Sequence, residues 1–149
     1  MSGAALLLGA LIGCGAASGE PAGPALLVVE KTSLGGEPEA NRRWRVETDG
    51  DLFFVANRAP VEAGVVWNVP FPTEPLARLD AASLAALREQ VQSPALWGLV
   101  DQSATGVEDG MRLRLTLRWG GDTKELTFDN VEPAPVKALM TQLGALTRR

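Results

Sequence analysis

The sequence predicts a single α+β domain: one antiparallel sheet of about five strands, with two helices packed on one of its faces, in the order βββαββα. Three observations favour this fold class. Short apolar or alternating segments end at glycine-containing turns, which is typical of antiparallel strands. Two stretches with helical spacing of apolar residues follow the third and the last of these segments. The chain of 149 residues, 46% apolar and 21% charged, has the size and composition of one globular domain.

The predicted domain, residues 25–149, follows a segment rich in glycine, alanine and proline. Residues 14–24 contain too little apolar surface to offset the entropy lost on ordering, so we expect a flexible tether there. The first strand covers Leu26 to Lys31 and is apolar on both faces at its start. This pattern predicts a strand away from the edges of the sheet.

The next two strands, Arg42 to Glu47 and Leu52 to Asn57, flank the dipeptide Asp49-Gly50. Asp-Gly suits a type I′ turn, whose two central residues both need positive φ. A two-residue loop opposes two pairs of large apolar residues, Val46 with Phe53 and Trp44 with Val55. The other face then carries the charged side chains of Arg43, Arg45 and Glu47.

Two helices are predicted from their end signals. Asp80 is placed to cap the first helix, which should end before Pro94. Pro133 and Pro135 suit the first turn of the second helix. The apolar stripes are Leu84, Leu87 and Val91 in the first helix, and Val136, Leu139, Met140, Leu143 and Leu146 in the second.

The clearest pattern in the chain is the strict apolar and polar alternation from Met111 to Trp119, which predicts a strand with one buried face. Gly120-Gly121 allows a tight turn into a second strand. The register then opposes Leu115 with Leu126, Leu113 with Phe128, and Arg112 with Asp129. A shift by one residue would place Leu126 against a polar position.

The chain begins with an apolar run, Ala4 to Ile12, that ends in the motif Leu11-Ile12-Gly13-Cys14. This motif resembles the lipobox of bacterial lipoprotein signal peptides. The resemblance implies a diacylglycerol on the sulfur of Cys14, cleavage after Gly13, and a signal peptide over residues 1–13. The apolar run is far shorter than the roughly 20 residues that cross a bilayer. The resemblance therefore implies a lipid-anchored protein of the cell envelope, with the periplasmic side of the outer membrane favoured over the inner membrane.

The order of elements after the tether resembles a group of uncharacterised bacterial lipoproteins over most of the chain. More loosely, it is similar to emfourin-type inhibitors of thermolysin-like metallopeptidases, in which a small α+β domain binds a peptidase. The second resemblance rests on the pattern of elements, and it transfers no inhibitory residue. A protein partner such as a peptidase is one expectation that it implies.

Composition narrows the possible chemistry. The chain has no histidine and no tyrosine, and its single cysteine would be lipidated. No catalytic residue, metal site or cofactor site is predicted, and a net charge of −4 does not indicate nucleic-acid binding. We therefore expect a non-enzymatic binding or inhibitory module. The alternatives are a structural component of the envelope and a hydrolase that uses a pair of carboxylates.

The proline-rich segment from Ala59 to Pro75 contains two candidate partner-binding residues, Trp67 and Phe71. Aromatic rings on a stiff loop bind a partner at little entropic cost. The alternative is that both rings fold back and cover one end of the core.

Two sets of charged residues also allow more than one interpretation. Asp101, Glu108 and Asp109 could approach a calcium ion, although carboxylates in such loops more often form turns and caps. Arginines of the two hairpins could form a cationic patch for lipid phosphates, if the hairpins are adjacent. The alternative is a solvated face on which they pair with acidic residues. The residues concerned are Arg43, Arg45, Arg112, Arg114 and Arg118, with Glu47, Glu125 and Asp129 as partners.

Overall fold

A computed structural model describes residues 23–34, 41–57, 70–104 and 110–148. Within those ranges the fold is one antiparallel sheet of six strands with three helices. This confirms the α+β class and the antiparallel sheet, but the predicted counts of five strands and two helices were too low, because β4 and α2 are very short. The predicted signal peptide and nearly all of the tether lie outside the described residues. The elements are β1 (Ala25–Ser33), β2 (Asn41–Glu47), β3 (Asp51–Asn57), β4 (Ala77–Arg78), α1 (Ala81–Gln92), α2 (Pro94–Trp97), β5 (Met111–Trp119), β6 (Asp122–Asp129) and α3 (Ala134–Leu146).

The strand order β4-β3-β2-β1-β5-β6 places β1 inside the sheet, as its apolar start predicts. β1 pairs with β2 on one side and with β5 on the other. Leu27 and Val29 point to the helix face and are fully buried there. The extra strand, β4, is only two residues long and extends the sheet beside β3.

The predicted register of the β2–β3 hairpin is wrong by one residue. Val46 lies opposite Leu52 and Trp44 opposite Phe54, because the turn holds three residues, 48–50, rather than two. The amide of Gly50 donates to the carbonyl of Glu47, and Gly50 takes a φ of +99°. A three-residue loop with a left-handed last residue is a common alternative to the type I′ turn. The shift turns Phe53 and Val55 to the face opposite the helices.

The β5–β6 hairpin has the predicted register. Leu115 lies opposite Leu126, Leu113 opposite Phe128, and Arg112 opposite Asp129. Gly120 and Gly121 have φ of 60° and 92°, which most other residues avoid. Residues 101–104 continue along the outer edge of β6, where the Gln102 amide donates to the Thr127 carbonyl at 2.9 Å.

The helices pack on one face of the sheet and close a single main core. Asp80 caps α1 by accepting a hydrogen bond from the Ser83 amide at 2.7 Å, as predicted. The predicted stripe of α3 is buried, apart from Met140, which is half-buried. The short α2 adds Leu96 to the same core. No helix in the described part of the chain has the length and apolar character needed to span a membrane.

Leu115→Ala and Arg114→Ala test which face of β5 is buried. Leu115 is 1% exposed in the main core, so its truncation should lower the free energy of unfolding by about 2–5 kcal/mol. Arg114 lies on the opposite face, so its truncation should lower the free energy of unfolding by well under ~1 kcal/mol. Denaturant unfolding of both variants measures the difference, and equal costs would contradict the assigned faces.

Candidate functional site

A groove of about 800 Å³ lies between α3 and the helix face of strands β1, β2 and β3. The described residues around it fall into three groups. The cations are Lys31, Arg42, Lys137 and Arg148; the apolar residues are Trp44, Phe54, Ala56 and Met140; the others are Glu132, Thr141, Gly144 and Thr147. Its volume is within the range of small-molecule sites.

Strand alternation builds the sheet side of the groove. Arg42 and Trp44 are two residues apart on β2, so both point to the helix face. Opposite them on β3 lie Ala56 and Phe54, respectively. The rings of Trp44 and Phe54 pack with centroids 5.5 Å apart and planes tilted by 40°. The floor is therefore aromatic, with a cation beside it.

Helix periodicity builds the other side. Lys137, Thr141, Gly144 and Arg148 follow one another at spacings of four, three and four residues, and Met140 lies four residues before Gly144, which places them on one stripe. That stripe adjoins the buried stripe of α3. The same helix thus closes the core with one stripe and borders the groove with the next.

The groove concentrates positive charge in a chain whose net charge is −4. Among the described residues, Lys31, Arg42 and Lys137 have no carboxylate within the 4.0 Å of an ion pair. Glu132 is the one carboxylate among the described lining residues. Repulsion among the cations is relieved when an anion binds.

The indole of Trp44 has an unsatisfied hydrogen-bond donor. Its Nε1 is buried and has no partner among the described residues. The indole of Trp97, by contrast, donates to the Val91 carbonyl at 2.7 Å. A buried donor without a partner costs about 1–3 kcal/mol, and such groups are uncommon in folded proteins. The floor of the groove is therefore less completely satisfied than the rest of the core.

The lining offers cations, apolar surface and two hydroxyl groups. Thr141 Oγ1 donates to the Lys137 carbonyl at 2.9 Å, and Thr147 Oγ1 donates to the Leu143 and Gly144 carbonyls at 3.2 Å. Both hydroxyl protons are thus engaged within the helix. This arrangement can hold an anion and bury an apolar group beside it.

Most of the residues proposed from the sequence lie elsewhere. Gly13, Cys14 and Trp67 are outside the described residues, so their roles stay predictions. Phe71 is described and is 2% exposed. It packs with Phe53 and Val55 on the face opposite the helices, and the Arg43 guanidinium carbon lies 4.2 Å from its ring centroid. In this arrangement the ring of Phe71 is covered rather than presented to a partner.

Asp101 acts as a turn former. Its Oδ1 accepts hydrogen bonds from the amide and hydroxyl of Ser103, at 3.0 and 2.5 Å, and its Oδ2 accepts from the Thr127 amide at 2.8 Å. These bonds, those from Ser103 most of all, hold the pKa of Asp101 below its usual value. Glu108 and Asp109, the other residues of the calcium hypothesis, lie outside the described residues.

An acidic cluster that the sequence analysis did not single out lies at the β2–β3 turn. Ligand atoms of Glu47, Asp49 and Asp51 approach within 4.8 Å of one another. Arg78 lies 3.4 Å from the Asp49 carboxylate and 3.7 Å from that of Asp51, and Arg45 lies 3.2 Å from Glu47. These two arginines neutralise much of the cluster, which therefore has the features of a surface ion-pair network.

Three arginines of the face opposite the helices, Arg43, Arg45 and Arg112, form ion pairs, and β1 separates the two hairpins. Arg43 Nε lies 2.6 Å from Glu30 Oε1, and Arg112 Nε lies 2.7 Å from Asp129 Oδ1. Pairing is confirmed for Glu47 with Arg45 and for Asp129 with Arg112, whereas Glu125 forms no ion pair among the described residues. The expectation of a solvated face is wrong for Arg43 and Arg45, whose side chains are only 16% and 13% exposed.

The groove residues were not among those predicted from the sequence. A partial signal existed, because Lys137, Thr141, Gly144 and Arg148 border the apolar stripe of the last helix. Nothing in the sequence showed which part of the sheet this stripe faces.

No protein-family model matches the chain, and a search of curated proteins finds no match.

Asp129→Asn tests the buried ion pair at the end of β6. The hydrogen bond from Arg112 holds the pKa of Asp129 below its usual value, and the Ala104 amide bonds to the same carboxylate at 2.7 Å. A lowered native pKa contributes stability above the unfolded pKa, near 3.8, that is lost as the pH falls through the native value. We expect the variant to lose about 1–3 kcal/mol at neutral pH.

The difference between the two proteins should shrink as the pH falls below about 4, because protonation removes the same charge from the parent. Urea unfolding at neutral and acidic pH measures this difference. A difference that stays constant with pH would contradict an electrostatic contribution from Asp129.

Proposed function

We propose that the protein is a lipid-anchored, extracytoplasmic binding module whose ligand is an anion held in the groove between α3 and the sheet. The observation that carries this proposal is that four cations line one groove, and among the described residues only Arg148 of these four has a side-chain hydrogen bond. Such a concentration of positive charge in an acidic chain favours the binding of an anion.

Binding is the activity that the lining supports best. Cationic side chains attract and orient an anion, while the aromatic floor excludes water and strengthens the attraction. The hydrolase alternative needs two carboxylates facing one cleft, and the described lining offers Glu132. A peptidase partner and a structural role in the envelope stay predictions from the sequence, with no contact among the described residues to favour either.

The anchor follows from the lipobox-like motif that ends at Cys14. Acyl chains on Cys14 would hold the domain at a membrane surface through the segment that precedes β1. We propose the periplasmic side of the outer membrane as the location. Several acyl chains are needed for stable retention, because one chain binds only marginally.

Replacing two groove cations tests the binding site. Arg42→Gln with Lys137→Gln should weaken the binding of anilinonaphthalene sulfonate, an anionic dye, by about tenfold, because two partly exposed attractions are lost. Fluorescence titration measures the affinity. Arg118→Gln is the matched control, because Arg118 is an exposed arginine of β5 outside the groove. Equal affinities for all three proteins would contradict the proposed site.

Cys14→Ser tests the anchor separately. The variant cannot accept a diacylglycerol, so it should move from the membrane fraction to the soluble fraction of the expressing cells. Fractionation followed by mass spectrometry of the N-terminus measures the change. Retention in the membrane, or an unmodified Met1 in the parent protein, would contradict the proposed lipid anchor. Neither result would bear on the proposed ligand site in the groove.

A further inference from the structure

We propose that the ligand of the groove is an amphipathic anion, in which an acidic head group is carried on an apolar chain. This inference rests on the proposed function and makes its ligand specific. The supporting observation is that charge and apolar surface occupy one continuous groove in a definite order along the strands.

The head-group end is marked by a like-charged pair. Lys31 and Arg42 lie directly opposite each other across β1 and β2, and both line the groove. Like charges in directly opposed positions repel and destabilise a sheet. Neither side chain has a carboxylate within 4.0 Å in the part of the chain that the structure describes. A bound acidic group between them would turn this repulsion into attraction.

The part of the groove that would hold the apolar chain of the ligand lies next to this charged pair, one cross-strand pair further along the sheet. Trp44 follows Arg42 by two residues on the same face, and it is paired with Phe54. Met140 of α3 borders the same surface with a flexible thioether side chain. Trp44 itself is only 3% exposed, so the surface that an anion without an apolar part would leave in water is that of the half-buried Phe54 and Met140 and the exposed Ala56. A chain that extends from the Lys31–Arg42 pair would cover it, and burial of apolar area is the favourable term.

Gly144 keeps room for such a chain. A Cβ at this position would meet only Arg148 Nη2, at 3.9 Å, so no close packing requires a glycine here. Glycine inside a helix costs about 1 kcal/mol relative to alanine. A residue with low helix propensity therefore occupies a position from which a larger side chain would extend toward the groove.

The volume agrees with this class of ligand. About 800 Å³ greatly exceeds what a phosphate or acetate ion fills, and it matches molecules with a substantial apolar body. Carboxylates and phosphates carried on an apolar chain share this chemistry, whether free in solution or drawn from a bilayer.

The test uses the Cys14→Ser chain, which cannot carry the proposed acyl groups, in detergent-free buffer, titrated calorimetrically with acetate, hexanoate, octanoate and decanoate. Affinity should rise about threefold to fourfold for each added CH₂ group until the apolar floor is covered. Decyltrimethylammonium, with the same chain and the opposite charge, should not bind. Vesicles that contain phosphatidylglycerol form a separate arm, in which groove-dependent binding would assign the source of the ligand to membrane lipid.

Gly144→Leu supplies the decisive variant. The leucine side chain should fill the groove and weaken the binding of decanoate at least about tenfold. Because leucine has a higher helix propensity than glycine, the melting temperature should be equal to or above that of the parent. Gly144→Ala is its matched control, because one methyl group leaves most of the groove open. Decanoate binding that survives in Gly144→Leu would overturn the proposal.

The outcomes separate this inference from the proposed function. If acetate and decanoate bind equally well and Arg42→Gln weakens both, the groove is a simple anion site and the amphipathic ligand is wrong. If Arg42→Gln and Lys137→Gln change the binding of no anion, the proposed function fails as well.

Discussion

The fold depends on the pairing of β1 along both of its edges. An inner strand must bury apolar side chains on its helix face, and Leu27 and Val29 do so under the helices. Its opposite face then carries Glu30, whose carboxylate meets Arg43 of the neighbouring strand. Because β1 takes one hairpin on each side, the arginines of those hairpins cannot merge into one patch. The same arrangement leaves β2 and β3 on the far side of β1 from β5, where α3 does not fully cover their helix face.

The elements with the strongest local sequence patterns have the structure that those patterns predict. Strict alternation with a Gly-Gly turn determines the β5–β6 register, because any shift would bury polar residues. The β2–β3 register could not be determined in this way. Residues 52–55 are Leu, Phe, Phe and Val, so either face of β3 can be buried, and the pattern does not distinguish a two-residue from a three-residue loop. The short β4 and α2 have too few residues for any periodicity to be detected.

The candidate site was much harder to predict than the fold. Its residues run from Lys31 to Arg148 and come from three strands, the last helix and the residues that flank this helix. Alternation identifies which face of a strand points to the helices, but it does not show how far a helix covers that face. The position of α3 depends on packing among distant core residues such as Leu139 and Leu143. Motif reasoning instead favoured aromatic residues in a proline-rich loop, and one of them, Phe71, packs inside the protein.

The start of β1 also determines how the domain responds to mechanical force. Pro24 accepts a hydrogen bond from Thr48, and Gly23 accepts one from Arg45, so the incoming chain is fastened to the β2–β3 hairpin. Tension on the preceding residues therefore enters the molecule through its innermost strand. Displacing β1 would break hydrogen bonds to both neighbouring strands, β2 and β5, whereas an edge strand has hydrogen bonds to only one neighbour. A domain attached in this way resists extraction better than one held by a terminal edge strand.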